Sequence, residues 1–455
     1  MERRKKRWFK LDNAAKLYPA IAHSRWSSIF RVSAVMTENV DAACLQKALD
    51  MVLPRFPAMM VHIKHGLFWY YFEENDAHLS VVQEEGHPCV PFKFKGNNGY
   101  LLRVLYLKKR ISVEFFHALT DGTGGMIFLK TLLCTYLRLQ GHEVQYDAGA
   151  LDIADTPKPD EYEDAFQKIP LPKKCASRKE APSYHLPATR EISHTLNVIA
   201  ASMPCDAVLN LSRALHVSLT EYLAAVMLYV IYQEQKKEKR ITRPIRVSVP
   251  INLRAYYKTN TLRNFSSFVN PEIDARLGDY TFEEIVQTVH AFLLYHNTGK
   301  LLGAITAANV RDERNLLVRL CPLPLKNFVI GQVFRASGER LFASTISNLG
   351  RITLPTGAAP YVESLEMMLG AAATPCCQVG MLSSGGQLQL MFTDNIEEKT
   401  LPRGVLRFLV ERGVPVTVES NQEQEGVDED GLLRALRCET GRSGDALPLM
   451  RNARA

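Results

Sequence analysis

His117-Ala118-Leu119-Thr120-Asp121-Gly122 puts a titratable ring where one element ends and a glycine-rich turn begins. Upstream, Ile111-Ser112-Val113-Glu114-Phe115-Phe116 alternates: Ile111, Val113 and Phe115 share one side, as in a half-buried strand. Downstream, Gly122-Thr123-Gly124-Gly125 breaks the strand. Met126–Leu139 then has helical spacing, with Met126, Ile127, Leu129, Leu132, Leu133 and Tyr136 directed inward. A histidine at such a turn is anchored by the strand on one side and is able to face a cavity on the other. Imidazole is the side chain best suited to taking and returning a proton near neutral pH. The stretch therefore predicts a strand–turn–helix unit carrying a candidate general base. No third His or Cys lies nearby to close a metal site, so no metal is expected. The chain has no Gly-x-Ser-x-Gly elbow to support a serine nucleophile.

The rest of the chain sets the limits within which such a unit works. Its 455 residues suffice for two or three domains or one large bilobed unit. With 46 % hydrophobic and 23 % charged residues the composition is that of a soluble globular protein with a sizeable core. Much of the net charge of +7 sits in Arg3, Arg4, Lys5, Lys6, Arg7 and Lys10. A solvated tail is the plain reading of that cluster. Nucleic acid is not an expected partner, because no platform of aromatics interleaved with basic residues follows. The positive balance would also favour a polyanionic substrate such as a coenzyme A thioester. Nine cysteines without a C-x-x-C spacing read as free thiols of a reducing compartment. The basic amino terminus lacks a following apolar region, and the longest apolar segment, Leu219–Tyr232, is too short to span a bilayer. A cytoplasmic protein without a transmembrane segment is expected.

Along the chain, residues 1–150 alternate helices with antiparallel-looking strands. Ile29–Met36 is a strand, Val40–Val52 a helix, Val61–Ile63 and Leu67–Phe72 a hairpin, and Tyr100–Leu107 pairs with Ile111–Phe116. Residues 151–190 hold six prolines among charged residues with little periodicity, which reads as a crossover linker. Residues 191–420 form a second lobe. It has strands at Glu191–Ile199, Ile245–Val249 and Leu341–Ser347, a hairpin of Gln378–Met381 with Gln387–Phe392, and helices within Asp206–Gln235, Phe282–Leu294 and Leu316–Leu320. Residues 421–455 are polar and read as a mobile tail. The class is α/β with mixed α+β character.

Placed on a strand–turn–helix unit, His117–Gly122 resembles the His-x-x-x-Asp-Gly signature of the chloramphenicol-acetyltransferase-like acyltransferases. That group includes alcohol acetyltransferases, plant BAHD enzymes and peptide-synthetase condensation domains. Val249-Pro250-Ile251-Asn252-Leu253-Arg254, followed by Phe268-Val269-Asn270, resembles the segment carrying the group's arginine and Phe-x-Asn. Ser347-Asn348-Leu349-Gly350 resembles the block beside its active-site channel. The likeness covers roughly Trp8 to Ser420, and it is to stand-alone bacterial alcohol-acetyltransferase-like proteins.

The resemblance implies two similar lobes, each a mixed sheet with helices, and a tunnel between them. It implies that His117 deprotonates an alcohol or amine as this attacks a thioester carbonyl, with acyl-CoA or another pantetheine thioester as co-substrate and no permanent cofactor. Asp121 would pair, in bidentate fashion, with Arg254 from the other lobe and hold the turn. Gly122 would allow the bend after Asp121. Asn270 would support the site, and Ser347 or Asn348 would donate to the developing oxyanion. Condensation domains carry two successive histidines, and Phe116 occupies the first of those positions here. That favours a free-standing ester-forming enzyme over a condensing enzyme that works with an acyl carrier protein. A thioester- or carrier-binding protein without turnover is the non-enzymatic alternative.

Overall fold

The computed structural model describes residues 6–21, 28–93, 96–172, 180–191 and 196–422. Arg3, Arg4 and Lys5, and residues 423–455 of the expected tail, lie outside them. Two sheets organise the fold. The first has five strands in the order Val362–Leu369, Ile29–Met36, Arg110–Phe116, Leu102–Leu107 and Val81–Gln83, antiparallel except for the last pair. Against it packs the helix Gly122–Leu139, whose Phe128, Leu129, Leu132 and Leu133 are fully buried. Each such side chain contributes roughly 2 kcal/mol by leaving water. The second sheet has eight strands. Ser266–Val269, Ile245–Asn252, Ser344–Arg351, Gln378–Ser384, Gln387–Asp394, Asn197–Pro204 and Thr417–Ser420 follow one another, and Glu272–Ile273 adds to Ile245–Asn252. Ser344–Arg351 is parallel to both its neighbours; the other pairs are antiparallel.

The helix Leu219–Gln235 lies at the centre of the second lobe's core. Its start is fixed by a capping box: Ser218 accepts from the Glu221 amide and the Glu221 carboxylate accepts from the Ser218 amide. Its apolar residues run almost all the way round, as a helix buried on every side requires. Among the described residues no single helix is long and apolar enough to cross a membrane.

Three features depart from the linear reading. The helix after His117 starts at Gly122, not Met126, because Asp121 caps it by accepting from the Gly124 amide at 3.2 Å. Gly124 and Gly125 are thus helical residues, and Gly124 is there for close approach. A Cβ on it would lie 2.2 Å from both the Leu262 carbonyl and the Thr120 hydroxyl. Second, residues 151–172 fold onto the body: Phe166 and Ile169 are buried, and Arg55 forms a two-pronged ion pair with Glu161 at 2.6 and 2.8 Å. Prolines remove the periodicity by which such packing is read from sequence. Third, Val362–Leu369 leaves the second half of the chain to complete the first sheet against Ile29–Met36. It passes over Gly380, where a Cβ would meet the Met367 carbonyl at 2.1 Å. The sheets are therefore joined by backbone contact as well as by side chains.

Smaller shifts follow turn chemistry. The first hairpin pairs Val61–His65 with Tyr70–Glu74, leaving Leu67 and Phe68 in its loop. The strand expected over Glu191–Ile199 lies at Asn197–Pro204, with 192–195 outside the described residues. Arg7 is not merely solvated, since its guanidinium donates to Glu74 at 2.9 Å.

Candidate active site

His117 follows the Arg110–Phe116 strand and keeps its place through its own amide, which donates to the Ser28 carbonyl at 2.8 Å. The ring is half-buried. Tyr18 stacks on one face, with centroids 4.7 Å apart and planes 16° apart, and Phe30 meets it edge-on at 5.1 Å. Phe116, in place of a second histidine, is buried in the core against Tyr18.

The ring's polar partner comes from the second lobe. Nδ1 lies 3.1 Å from Asn264 Oδ1. The Asn264 amide donates from Nδ2 to the carbonyls of His117 at 2.9 Å and Ala118 at 3.4 Å, and to Asp12 Oδ2 at 3.4 Å. Three oxygen acceptors around Nδ2 fix which end of the amide is which. Oδ1 therefore accepts, and Nδ1 of the histidine must carry the hydrogen. Nε2 is left with its lone pair, and it has no hydrogen-bond partner among the described residues. Burial pushes the His117 pKa below its usual value, against the opposing pulls of Asp121 and the Asn264 bond. The ring is thus neutral at neutral pH and basic at Nε2.

Asp121 is turned away from the ring into the clamp. Its Oδ2 accepts from Arg254 Nη1 at 2.7 Å and from the Phe265 amide at 2.9 Å. The pairing is single-pronged rather than bidentate. The remaining guanidinium hydrogens are engaged by the Thr261 carbonyl, at 3.0 and 2.8 Å, the Arg263 carbonyl, at 2.6 Å, and Asn252 Oδ1, at 3.3 Å. Arg254 thus ties the 252–265 segment to itself as well as to the turn. Thr120 adds another crossing bond, to the Leu262 carbonyl at 2.5 Å. Gly122 is the first helical residue; a Cβ on it would approach Leu349 Cδ2 to 2.7 Å. Its smallness serves contact with the second lobe rather than a backbone bend.

The remaining expected residues divide. Ser347 and Asn348 lie on Ser344–Arg351, whose Leu349 touches Gly122. The Asn348 amide donates to Thr220 Oγ1 at 2.8 Å, and its oxygen accepts from the Gly350 amide. Its donor is engaged, whereas the Ser347 hydroxyl has no partner among the described residues. Asn270 is buried and donates to Glu180 at 2.6 Å; among the described residues no bond joins it to the His117 turn.

The asparagine that bonds the ring is Asn264, six residues earlier, which the sequence reading missed. No local signal marked it, since the ring it meets lies 147 residues earlier in the chain. Behind it, Asp12 is fully buried. Burial raises its carboxyl pKa to about 6, although Arg263 Nη2 stands 3.5 Å away and the Ala15 amide donates at 2.7 Å. Among the described residues no three His, Cys, Asp or Glu side chains converge as metal ligands.

No protein-family model and no curated protein matches the chain. Solved structures do match its fold. TRI101 of F. graminearum, solved with coenzyme A and T-2 mycotoxin, superposes with a TM-score of 0.60 at 9 % identity, over 91 % of this chain and all of its own. The trichothecene 15-O-acetyltransferase TRI3 of Fusarium sporotrichioides gives 0.56 at 9 % identity, over 89 % of this chain and 94 % of that one. The starter condensation domain of rhizomide synthetase, solved as a mutant with C8-CoA and Leu-SNAC, gives 0.56 at 13 % identity, over 89 % and 93 %. The chain therefore has the two-lobed mixed α/β fold of these acetyltransferases and condensation domains, the fold that the resemblance implied.

Proposed function

We propose that this chain is an acyltransferase that moves an acyl group from a thioester, acyl-CoA, to an alcohol or amine. The observation that carries the reading is the neutral His117 ring, held as its Nδ1–H tautomer with a free Nε2 at the seam of this fold. Nε2 takes the proton from the acceptor's O–H or N–H as that atom attacks the thioester carbonyl carbon. The tetrahedral adduct expels the thiolate, and the imidazolium returns the proton to sulfur. An ester or amide and free coenzyme A result, with no net change at the protein. General-base help of this kind is typically worth ~10²–10⁴-fold in rate. Asp121 and Arg254 do not touch substrate; they hold the turn. Ser347, whose hydroxyl is not otherwise engaged, is the better candidate donor to the oxyanion.

Three further features support the reading: coenzyme A or an acyl-CoA accompanies several structures of the same fold, the net charge of +7 favours such an anion, and no second histidine precedes His117. In the test, mixed acyl-CoA donors are incubated with a panel of alcohols and amines, and products are read by mass spectrometry. Wild-type protein is expected to form an acylated product that His117→Ala does not. Product formed equally by both removes His117 from the chemistry. Transfer only from carrier-bound thioesters assigns the chain to the condensing class instead.

A further inference from the structure

We propose that the helices Leu316–Leu320 and Leu323–Ser337, with the hairpin loop beside them, form a docking surface for an anionic lipid bilayer. Residues 314–338 contain Arg314, Arg319, Lys326 and Arg335 and not one Asp or Glu. The same run presents large apolar side chains to water: Leu316 is 65 % exposed, Leu317 81 % and Phe328 62 %.

The loop of the first hairpin is bonded to this ridge. The Leu323 amide donates to the Leu67 carbonyl at 2.9 Å, and Lys326 Nζ donates to the Phe68 carbonyl at 2.8 Å while lying 3.2 Å from the centre of the Trp69 ring. Leu67 is itself 81 % exposed, so two parts of the chain far apart in sequence build one apolar surface. An apolar patch of this kind marks a binding surface rather than ordinary exterior.

Its geometry and charge select the occupant. On Leu316–Leu320 the apolar residues point in several directions about the axis, at roughly 100° per residue, and Leu316, Leu317, Val318 and Leu320 are all exposed. Only Arg319 interrupts them, and a helix apolar on nearly every side is normally buried on nearly every side. A folded partner would cover one face, whereas immersion among acyl chains covers all of them. Arg314 and Arg319, both exposed and with no carboxylate partner among the described residues, complement phosphate headgroups at the level of the interface. The long helix also packs on Leu17–Ile21, whose Tyr18 stacks on His117. Docking there would bring lipid-borne acyl chains or acceptors within one helix of that ring.

The test is co-sedimentation of the full chain with vesicles of phosphatidylglycerol and phosphatidylcholine in equal parts, and with phosphatidylcholine alone. Wild-type protein is expected to bind the anionic vesicles, more weakly as salt rises, and to bind neutral ones less well. Leu317→Asp/Phe328→Asp is expected to weaken that binding by about tenfold or more. Arg319→Glu is expected to weaken it less and to flatten its salt dependence. His117→Ala is expected to bind as wild type does, so failure of the acyl-transfer reading leaves this one standing.

Should the double variant not fold, hydrogen exchange of the wild type with and without vesicles decides, with added protection expected over 314–338. The proposal is overturned by absence of binding to anionic vesicles or by undiminished binding of a folded double variant. A dimer that the double variant dissolves, without vesicle binding, also overturns it in favour of a second copy of the chain.

Discussion

In the first lobe, one strand ends in His117 and one helix begins on Asp121. In the second lobe, the segment Asn252–Phe265 supplies Arg254, the Asn264 amide, the Leu262 carbonyl and the Phe265 amide, which bond to that turn between 2.5 and 3.1 Å. The first lobe thus carries the group proposed to react, and the second supplies the Asn264 oxygen that fixes which nitrogen of it is free. A histidine without Asn264 has no reason to prefer one tautomer, and a clamp without Asp121 leaves the Arg254 charge facing an unmatched interior. Coupling between lobes in this site is therefore a matter of direct bonds rather than of overall packing.

This division of labour predicts different losses from the two sides. His117→Ala should cost most, ~10²–10⁴-fold in kcat/KM with the chain still folded, because the proposed base is lost. Arg254→Ala should act through stability, by about 3 kcal/mol in urea unfolding, since the mostly buried Asp121 carboxylate loses its charge partner. Arg254→Lys should recover only part, as an ammonium cannot reach Asp121 and the two carbonyls together. If Arg254→Ala unfolds like wild type, the Asp121–Arg254 pair contributes nothing to stability.

Asn264→Ala should lower kcat by about tenfold or more through misaligned tautomers, and it has a signature no merely structural change would give. With the His117 pKa already below 6.5, the acid limb of kcat/KM in the wild type should lie below pH 6.5. Removing the Asn264 acceptor takes away a contact that favours the charged ring, so the limb should move to still lower pH. The smallest effect concerns Asp12. Its folded pKa, near 6, is above the unfolded 3.8, so the folded state binds the extra proton and gains stability as pH falls from about 7 towards 4. Between pH 7 and 5 that gain is about 1 kcal/mol by linkage, and Asp12→Asn should abolish it in paired unfolding curves.

The contrast between lobes also shows what a sequence discloses. Strand, turn and helix around His117 are local, and their alternation and spacing survive into the structure with the helix start displaced to Gly122. Asp121 and Arg254 were separable from other charges because two motifs bracket them. Asn264 was not, because nothing local distinguishes an asparagine that meets a ring 147 residues away. Val362–Leu369 was missed for the same reason: its partner strand is Ile29–Met36, and chain order alone assigns it to the wrong sheet. At 314–338 the sequence reading reached only the helix Leu316–Leu320, and only burial shows that its apolar residues are uncovered.

The arrangement of the imidazole itself admits a direct measurement. Nitrogen NMR of the protein labelled at histidine, with His117 assigned by its loss in His117→Ala, reports the protonation of each ring nitrogen. At pH 7 a neutral His117 with hydrogen on Nδ1 and none on Nε2 is expected, with loss of that single tautomer in Asn264→Ala. An imidazolium at pH 7, or hydrogen on Nε2 in the wild type, would contradict it.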